Sequence, residues 1–175
     1  MRKVAAAALG LALAGAAACS AGRLGPSGVT PCARAFVFVD RGRPAAAIEI
    51  PEGDNGIERR AAEILQSSIR KMSGVTLPIR AVAAPGVGRV AAIGFDGEQL
   101  PPTLASVRSS IRRDGFLLGT TTGNLYIVSG GGKGAIYGVV HLLEKYYGCR
   151  KFSPTAEVFP HRDDIALGCI LERRK

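Results

Sequence analysis

An unbroken run of small and apolar residues from Val4 to Ala18 opens the chain, and beyond residue 33 the apolar positions fall into two periods, two and about 3.6. Period two predicts strands over Ala35-Phe36-Val37-Phe38-Val39 and Ala47-Ile48-Glu49-Ile50, separated by a turn segment from Asp40 to Pro44. Ile57, Ala61, Ile64, Leu65 and Met72 then recur at helical spacing, with Arg59, Arg60, Glu63, Arg70 and Lys71 on the opposite face. Asn55 and Glu58 resemble a capping box at the start of this helix, and Gly74 supplies its stop. Leu77-Pro78-Ile79 starts a short extended segment whose proline argues for a sheet edge, because proline has no N–H to give to a ladder. Arg89 to Gly94 reads as a buried strand. Gly115 to Thr120 and Asn124 to Val128 form a hairpin through a Thr-Thr-Gly turn. A second helix runs from about Lys133 to Tyr147, with Ile136, Val139, Val140, Leu143 and Tyr146 on one face and Gly148 at its end.

Strands in runs, one hairpin and two long helices predict an α+β fold: a mixed β-sheet with the two main helices packed on one face. At 175 residues, 47% hydrophobic and 21% charged, the chain fits one domain with a real core. No internal repeat is visible.

The opening run alters this division of the chain. Met1-Arg2-Lys3 followed by Val4 to Ala18, with no acid before Asp40, has the layout of a secretory signal peptide and is shorter than the ~20 residues of a membrane-spanning helix. Residues 1–18 are therefore set apart as signal, 19–32 as a Gly/Ser/Pro-rich tether and 33–175 as the domain. Ala16-Ala17-Ala18-Cys19 fits either ordinary signal cleavage or a bacterial lipoprotein signal in which Cys19 is lipidated; Ala16 stands where the lipoprotein pattern usually has leucine. Both place the protein outside the cytosol, as a periplasmic or outer-membrane lipoprotein or a secreted protein, touching a membrane only through a lipid anchor. In an oxidising compartment Cys32, Cys149 and Cys169 allow one disulfide and one free thiol, with the pairing open.

The net charge of +9 falls to +7 without Arg2 and Lys3, but the basic residues are scattered pairs, and nucleic acid is not an expected partner. Ser129-Gly130-Gly131-Gly132-Lys133-Gly134 joins a strand to a helix, where phosphate-cradling loops occur, yet Gly134 stands where a Walker motif needs Ser or Thr. A tight structural turn is the expectation, and no cofactor is implied. His141 is expected to face solvent. His161, Asp163 and Asp164 are too few for a hard-ion site, so no metal site is expected. No G-x-S-x-G elbow is present, and Glu63, Asp114 and Glu144 are available acids that no spacing pairs, so no catalytic residue is assigned.

The run Gly134-Ala135-Ile136-Tyr137-Gly138-Val139-Val140-His141-Leu142-Leu143-Glu144-Lys145-Tyr146-Tyr147-Gly148-Cys149-Arg150-Lys151-Phe152-Ser153-Pro154 resembles the end of the N-terminal domain of alpha-glucuronidases of glycoside hydrolase family 67. Ala61-Ala62-Glu63, Leu65, Gly74, Leu77-Pro78-Ile79, Ile93-Gly94 and Asp114-Gly115-Phe116 match in the same order, and the resemblance covers most of residues 45 to 165. It implies a non-catalytic domain similar to the second domain of family 20 beta-hexosaminidases, ahead of a separate catalytic barrel that would begin about where Lys175 stands. The expected function is an exported accessory domain of a xylan- or glucuronoxylan-degrading system, binding carbohydrate weakly or partnering a separate glycosidase barrel. The alternatives are an alpha-glucuronidase-type hydrolase, or an interaction module docking through Ile165 to Leu171.

Overall fold

The computed structural model describes residues 35–53, 56–121, 123–151 and 156–174. Cys19, Cys32, Asn55 and the signal and tether segments lie outside them. The elements are β1 (Phe36–Asp40), β2 (Arg43–Pro44), β3 (Ala47–Pro51), α1 (Ile57–Ser73), β4 (Ile79–Val82), β5 (Val90–Ile93), a 3₁₀ turn (Gly97–Gln99), α2 (Pro102–Arg108), β6 (Phe116–Thr121), β7 (Asn124–Ser129), α3 (Gly134–Tyr147), β8 (Arg150–Lys151), β9 (Glu157–Val158), β10 (Ile165–Leu167) and β11 (Leu171–Arg174). A six-stranded mixed sheet of order β11-β6-β7-β5-β3-β4 forms the centre. Its β3, β4, β5 and β7 run parallel, while β6 pairs antiparallel with both β7 and β11. The expected α+β architecture is observed, and β4, just after Pro78, is an edge strand as that proline requires.

Side-chain alternation divides this sheet between two cores. Ala91 and Ile93 of β5, Leu125 and Ile127 of β7, and Phe116 and Leu118 of β6 face α1 and α3. Val90 and Ala92, Tyr126 and Val128, and Leu117 point the other way, to Phe95, Leu100, Leu104 and Ile111. The second face is covered by α2, a two-turn helix opened by Pro102 that buries only Leu104. So short an element leaves no periodicity in the sequence, and neither α2 nor this second layer was expected.

Helix α1 presents Ala61, Ala62, Leu65, Ser68, Ile69 and Met72 to the core and keeps the five predicted charged residues exposed. Its N-cap is Gly56, without a side-chain cap bond; Gly74 ends it in the left-handed conformation, donating its N–H to the Arg70 carbonyl. In α3 the buried face is Gly134, Ala135, Gly138, Val139, Leu142, Leu143 and Tyr147, whereas Ile136 and Tyr146 are half-buried and Val140 is exposed. The expected stripe was therefore rotated. The helix is apolar nearly all round, and the side that packs closest is the one with glycines: a Cβ on Gly138 would stand 2.7 Å from Ile127 Cγ2.

A smaller antiparallel sheet, β10-β1-β2, closes the other side of the α1/α3 core. Its register shifts between Val37 and Val39, and this bulge lets consecutive Phe38 and Val39 both be buried. Phe38 meets Phe36 and Tyr147 edge to face, at ring separations of 4.7 and 6.2 Å. Ile165 and Leu167 are core residues of β10, and Leu171 begins β11. The segment named as a docking candidate pairs with β1 and β6 at the edges of the domain's two sheets. Cys169, between these strands, is disulfide-bonded, and Cys149 is a free buried thiol.

Candidate functional site

The glycine-rich loop after β7 is built as a turn rather than a cradle. Asp114, at φ 66°, reaches across and accepts the Lys133 N–H at 2.7 Å, so the protein's own carboxylate takes the place an anion would have at this helix start. A Cβ on Gly130 would fall 1.8 Å from the Arg112 carbonyl oxygen, and one on Gly134 would fall 2.3 Å from that of Gly115. These glycines are there for backbone contact. Asp114→Ala is expected to cost about 1 kcal/mol through loss of this cap, while Asp114→Asn keeps both the acceptor and the left-handed backbone and costs less; urea titration of the two variants checks the order.

His141 does not face solvent. Its Nε2 lies 3.0 Å from Glu172 Oε1, and its ring packs 5.2 Å from that of Phe116. The same carboxylate accepts hydrogen bonds from Lys145 Nζ at 2.7 Å and Tyr146 Oη at 2.9 Å, and Arg174 Nε stands 3.3 Å away. Desolvation alone would raise the Glu172 pKa, but the bonds from Lys145, Tyr146 and His141 outweigh it and hold it at about 2. This cluster ties the edge strand β11 to α3. A carboxylate held ionised by several donors has no proton to give, so it is a clasp. Sequence reasoning missed it because Glu172 is 31 residues from His141, in a strand the pattern did not reveal.

The available acids divide between two places. Glu63 on α1 and Glu144 on α3 line one groove of about 360 Å³, together with Arg60, Lys71, Arg150 and Glu157. Ile64, Val140, Leu143 and Phe159 give it an apolar lining, and the Lys71 ammonium lies 4.6 Å over the Phe159 ring. Glu63 pairs with Arg60 at 3.4 Å. Glu157 pairs with Lys71 and, at 2.8 Å, with Lys151; hydrogen bonds from Lys151 and then Lys71 lower its pKa. A carboxylate held ionised between two ammonium groups can accept hydroxyl hydrogen bonds but makes a poor general acid.

Asp114 belongs to neither partner. It sits at Lys133, while Glu144 lies eleven residues along α3, about 16 Å at 1.5 Å per residue, beyond the ~5–10 Å of glycosidase acid pairs. Cys149 faces the same groove, but burial pushes its thiol pKa up, and its Sγ lies 3.5 Å from Met72 Sδ. It is a packed thiol in the protonated state, unsuited to nucleophilic work. Arg150 turns back to donate to the Glu144 and Cys149 carbonyls at 2.9 and 3.1 Å, satisfying the end of α3. His161 and Asp163 meet at 3.3 Å on the open surface, and among the described residues no group of three or more His, Cys, Asp or Glu could hold a metal ion.

No known protein family's profile matches the sequence, and no curated protein matches it. Solved structures are similar to it over 69–80% of its length. One is a family GH138 enzyme targeting pectin rhamnogalacturonan II, with 16% identity and a TM-score of 0.38 over 69% of this chain and 11% of that one. Another is a family GH115 4-O-methyl-alpha-glucuronidase with specificity for decorated arabinogalactans, with 14% identity and a TM-score of 0.52 over 80% of this chain. The chain spans 18% of that enzyme's length, and what the two share is a fold.

Proposed function

We propose that this domain is an exported accessory unit of a polysaccharide-degrading glycosidase system, a binding or supporting module that does not hydrolyse glycans by itself. The observation that carries the reading is the likeness in fold to one part, 18% of the length, of a large alpha-glucuronidase. The acids support it. Glu157 and Glu172 are held ionised by cationic and hydroxyl donors, Asp114 caps a turn, and Glu63 is paired with Arg60. The layout of Met1 to Cys19 supports export, with Cys19 the position for a lipid anchor, and the run from Gly134 to Pro154 resembles the end of the non-catalytic N-terminal domain of family 67 enzymes.

A fold of this kind can serve a barrel by packing on it or by holding substrate near it, and in neither role does it need a proton donor. The test is to measure uronic acid release from decorated xylo- and arabinogalacto-oligosaccharides by a matched glycosidase barrel, with and without the domain. The domain alone is expected to release nothing, and its addition to raise kcat/KM of the barrel on polymeric but not on short substrates. Turnover by the isolated domain, abolished in Glu63→Gln or Glu144→Gln, would sink the reading.

A further inference from the structure

A second concavity lies away from the α1/α3 groove, where the β1–β2 turn meets the start of β5. Its lining, in a volume of about 450 Å³, is Asp40, Arg41, Arg43, Pro44, Ala45 and Arg89. Three arginines thus line it with one acidic residue, and among the described residues none of the three forms an ion pair. Pro44, Ala45 and Arg89 also form the wall of a neighbouring hollow of about 510 Å³ that adds Arg80, with the buried Glu49 at its base. Both volumes fall in the ~300–1,000 Å³ range of small-ligand sites. Glu49 is occupied, since its Oε2 accepts the Gly86 N–H at 2.8 Å, and Asp164 outside the cavity is engaged by the Arg41 backbone N–H at 2.5 Å. Arg41, Arg43, Arg80 and Arg89 still outnumber the two carboxylates that line the hollows, Asp40 and Glu49.

The backbone under two of these arginines is the second observation. Arg41 has φ 49° and is followed by Gly42 at φ 69°, which makes the β1–β2 connection a two-residue turn of the type that favours Asn-Gly or Asp-Gly. Arg89 has φ 57° directly after Gly88 at φ 79°. Each left-handed non-glycine residue costs about 1 kcal/mol that Gly or Asn would avoid, and both of these residues stand in the lining of the same hollow.

We infer that this arginine-lined pair of hollows is an oxyanion-binding site that takes an acidic polysaccharide carrying carboxylates on successive sugars. Guanidinium forks match a planar carboxylate with two parallel N–H bonds, which ammonium groups do not offer. Two adjoining hollows that share Arg89 as their wall suit two neighbouring carboxylates on one chain. That the anion belongs to a glycan rests on the proposed function; the anion site itself rests on the arginines.

Nitrogen-labelled domain is titrated with trigalacturonate, with neutral galactotriose and with inorganic phosphate, followed by amide NMR. The expected result is shifts confined to Arg41–Ala45 and Gly88–Val90 with trigalacturonate and not with galactotriose. The affinity should fall about tenfold or more in Arg43→Gln/Arg89→Gln and in about 0.5 M NaCl. These side chains are exposed, so an unchanged amide spectrum of the free double variant confirms that it is folded. Phosphate binding as tightly as trigalacturonate, at the same amides, would overturn the polysaccharide ligand. Silence of these amides toward all three would overturn the site, and shifts elsewhere with galactotriose would then leave the accessory reading standing without it.

Discussion

Gly130→Ala unfolds the domain or lowers its stability by about 3 kcal/mol or more, and Gly134→Ala by a similar amount, while Gly131→Ala costs only about 1–2 kcal/mol. The first two place a methyl carbon 1.8 Å and 2.3 Å from the carbonyl oxygens of Arg112 and Gly115, which are main-chain atoms with no rotamer to yield. Relief requires the 111–115 segment ahead of β6 to move away from the loop between β7 and α3, and these strands and the helix carry core residues. Gly131, at φ 109°, meets nothing within 4 Å, so its alanine variant pays only for the unusual backbone. Thermal and urea unfolding of the three variants checks this order. Equal effects at the three positions would mean the loop's glycines answer to flexibility or to a ligand rather than to contact with their neighbours.

Glu172→Ala is expected to destabilise by about 2 kcal/mol at neutral pH, taking away the acceptor of Lys145, Tyr146 and His141 together. Three charge-assisted bonds summed separately would give more, but solvent reaches the outer edge of the carboxylate and the cationic partners can rehydrate. Its folded pKa, about 2, lies below the ordinary value of 4.5. The stabilisation is therefore complete above about pH 4.5 and is lost as pH falls toward 2, because the unfolded chain takes up the proton first. Wild type and Glu172→Ala should accordingly differ most above pH 5 and converge by about pH 2. A gap that stays constant over this range would show that the side chain acts through packing alone.

Much of the architecture is legible in the sequence wherever one short stretch carries the whole signal. The α1 stripe, the β6–β7 hairpin, the edge position after Pro78 and the helix stops at Gly74 and Gly148 are all set by neighbours in the chain. The misjudged features depend on distant partners. Periodicity assigned Ile136, Val140 and Tyr146 to the core face of α3 because it weighs hydrophobicity, whereas the sheet selected the side where Gly134 and Gly138 allow close approach. His141 looked like a surface residue because its partner, Glu172, sits in a four-residue strand whose charged Glu-Arg-Arg pattern says nothing of pairing with β6. The arginines of the second concavity come from the β1–β2 turn and the start of β5, and no local motif announces that they share a hollow.

The carboxylates show the same division. Spacing alone could not pair Glu63, Asp114 and Glu144, and folding places two of them on one groove while fixing the third at a turn.

The central claim is tested most directly in a single tube, by following both partners in real time by NMR as the nitrogen-labelled domain is mixed with a xylo-oligosaccharide bearing 4-O-methylglucuronic acid. The account predicts shifts in a confined set of protein amides while the sugar's anomeric signals stay unchanged over days. Appearance of free uronic acid at an enzymatic rate would contradict it.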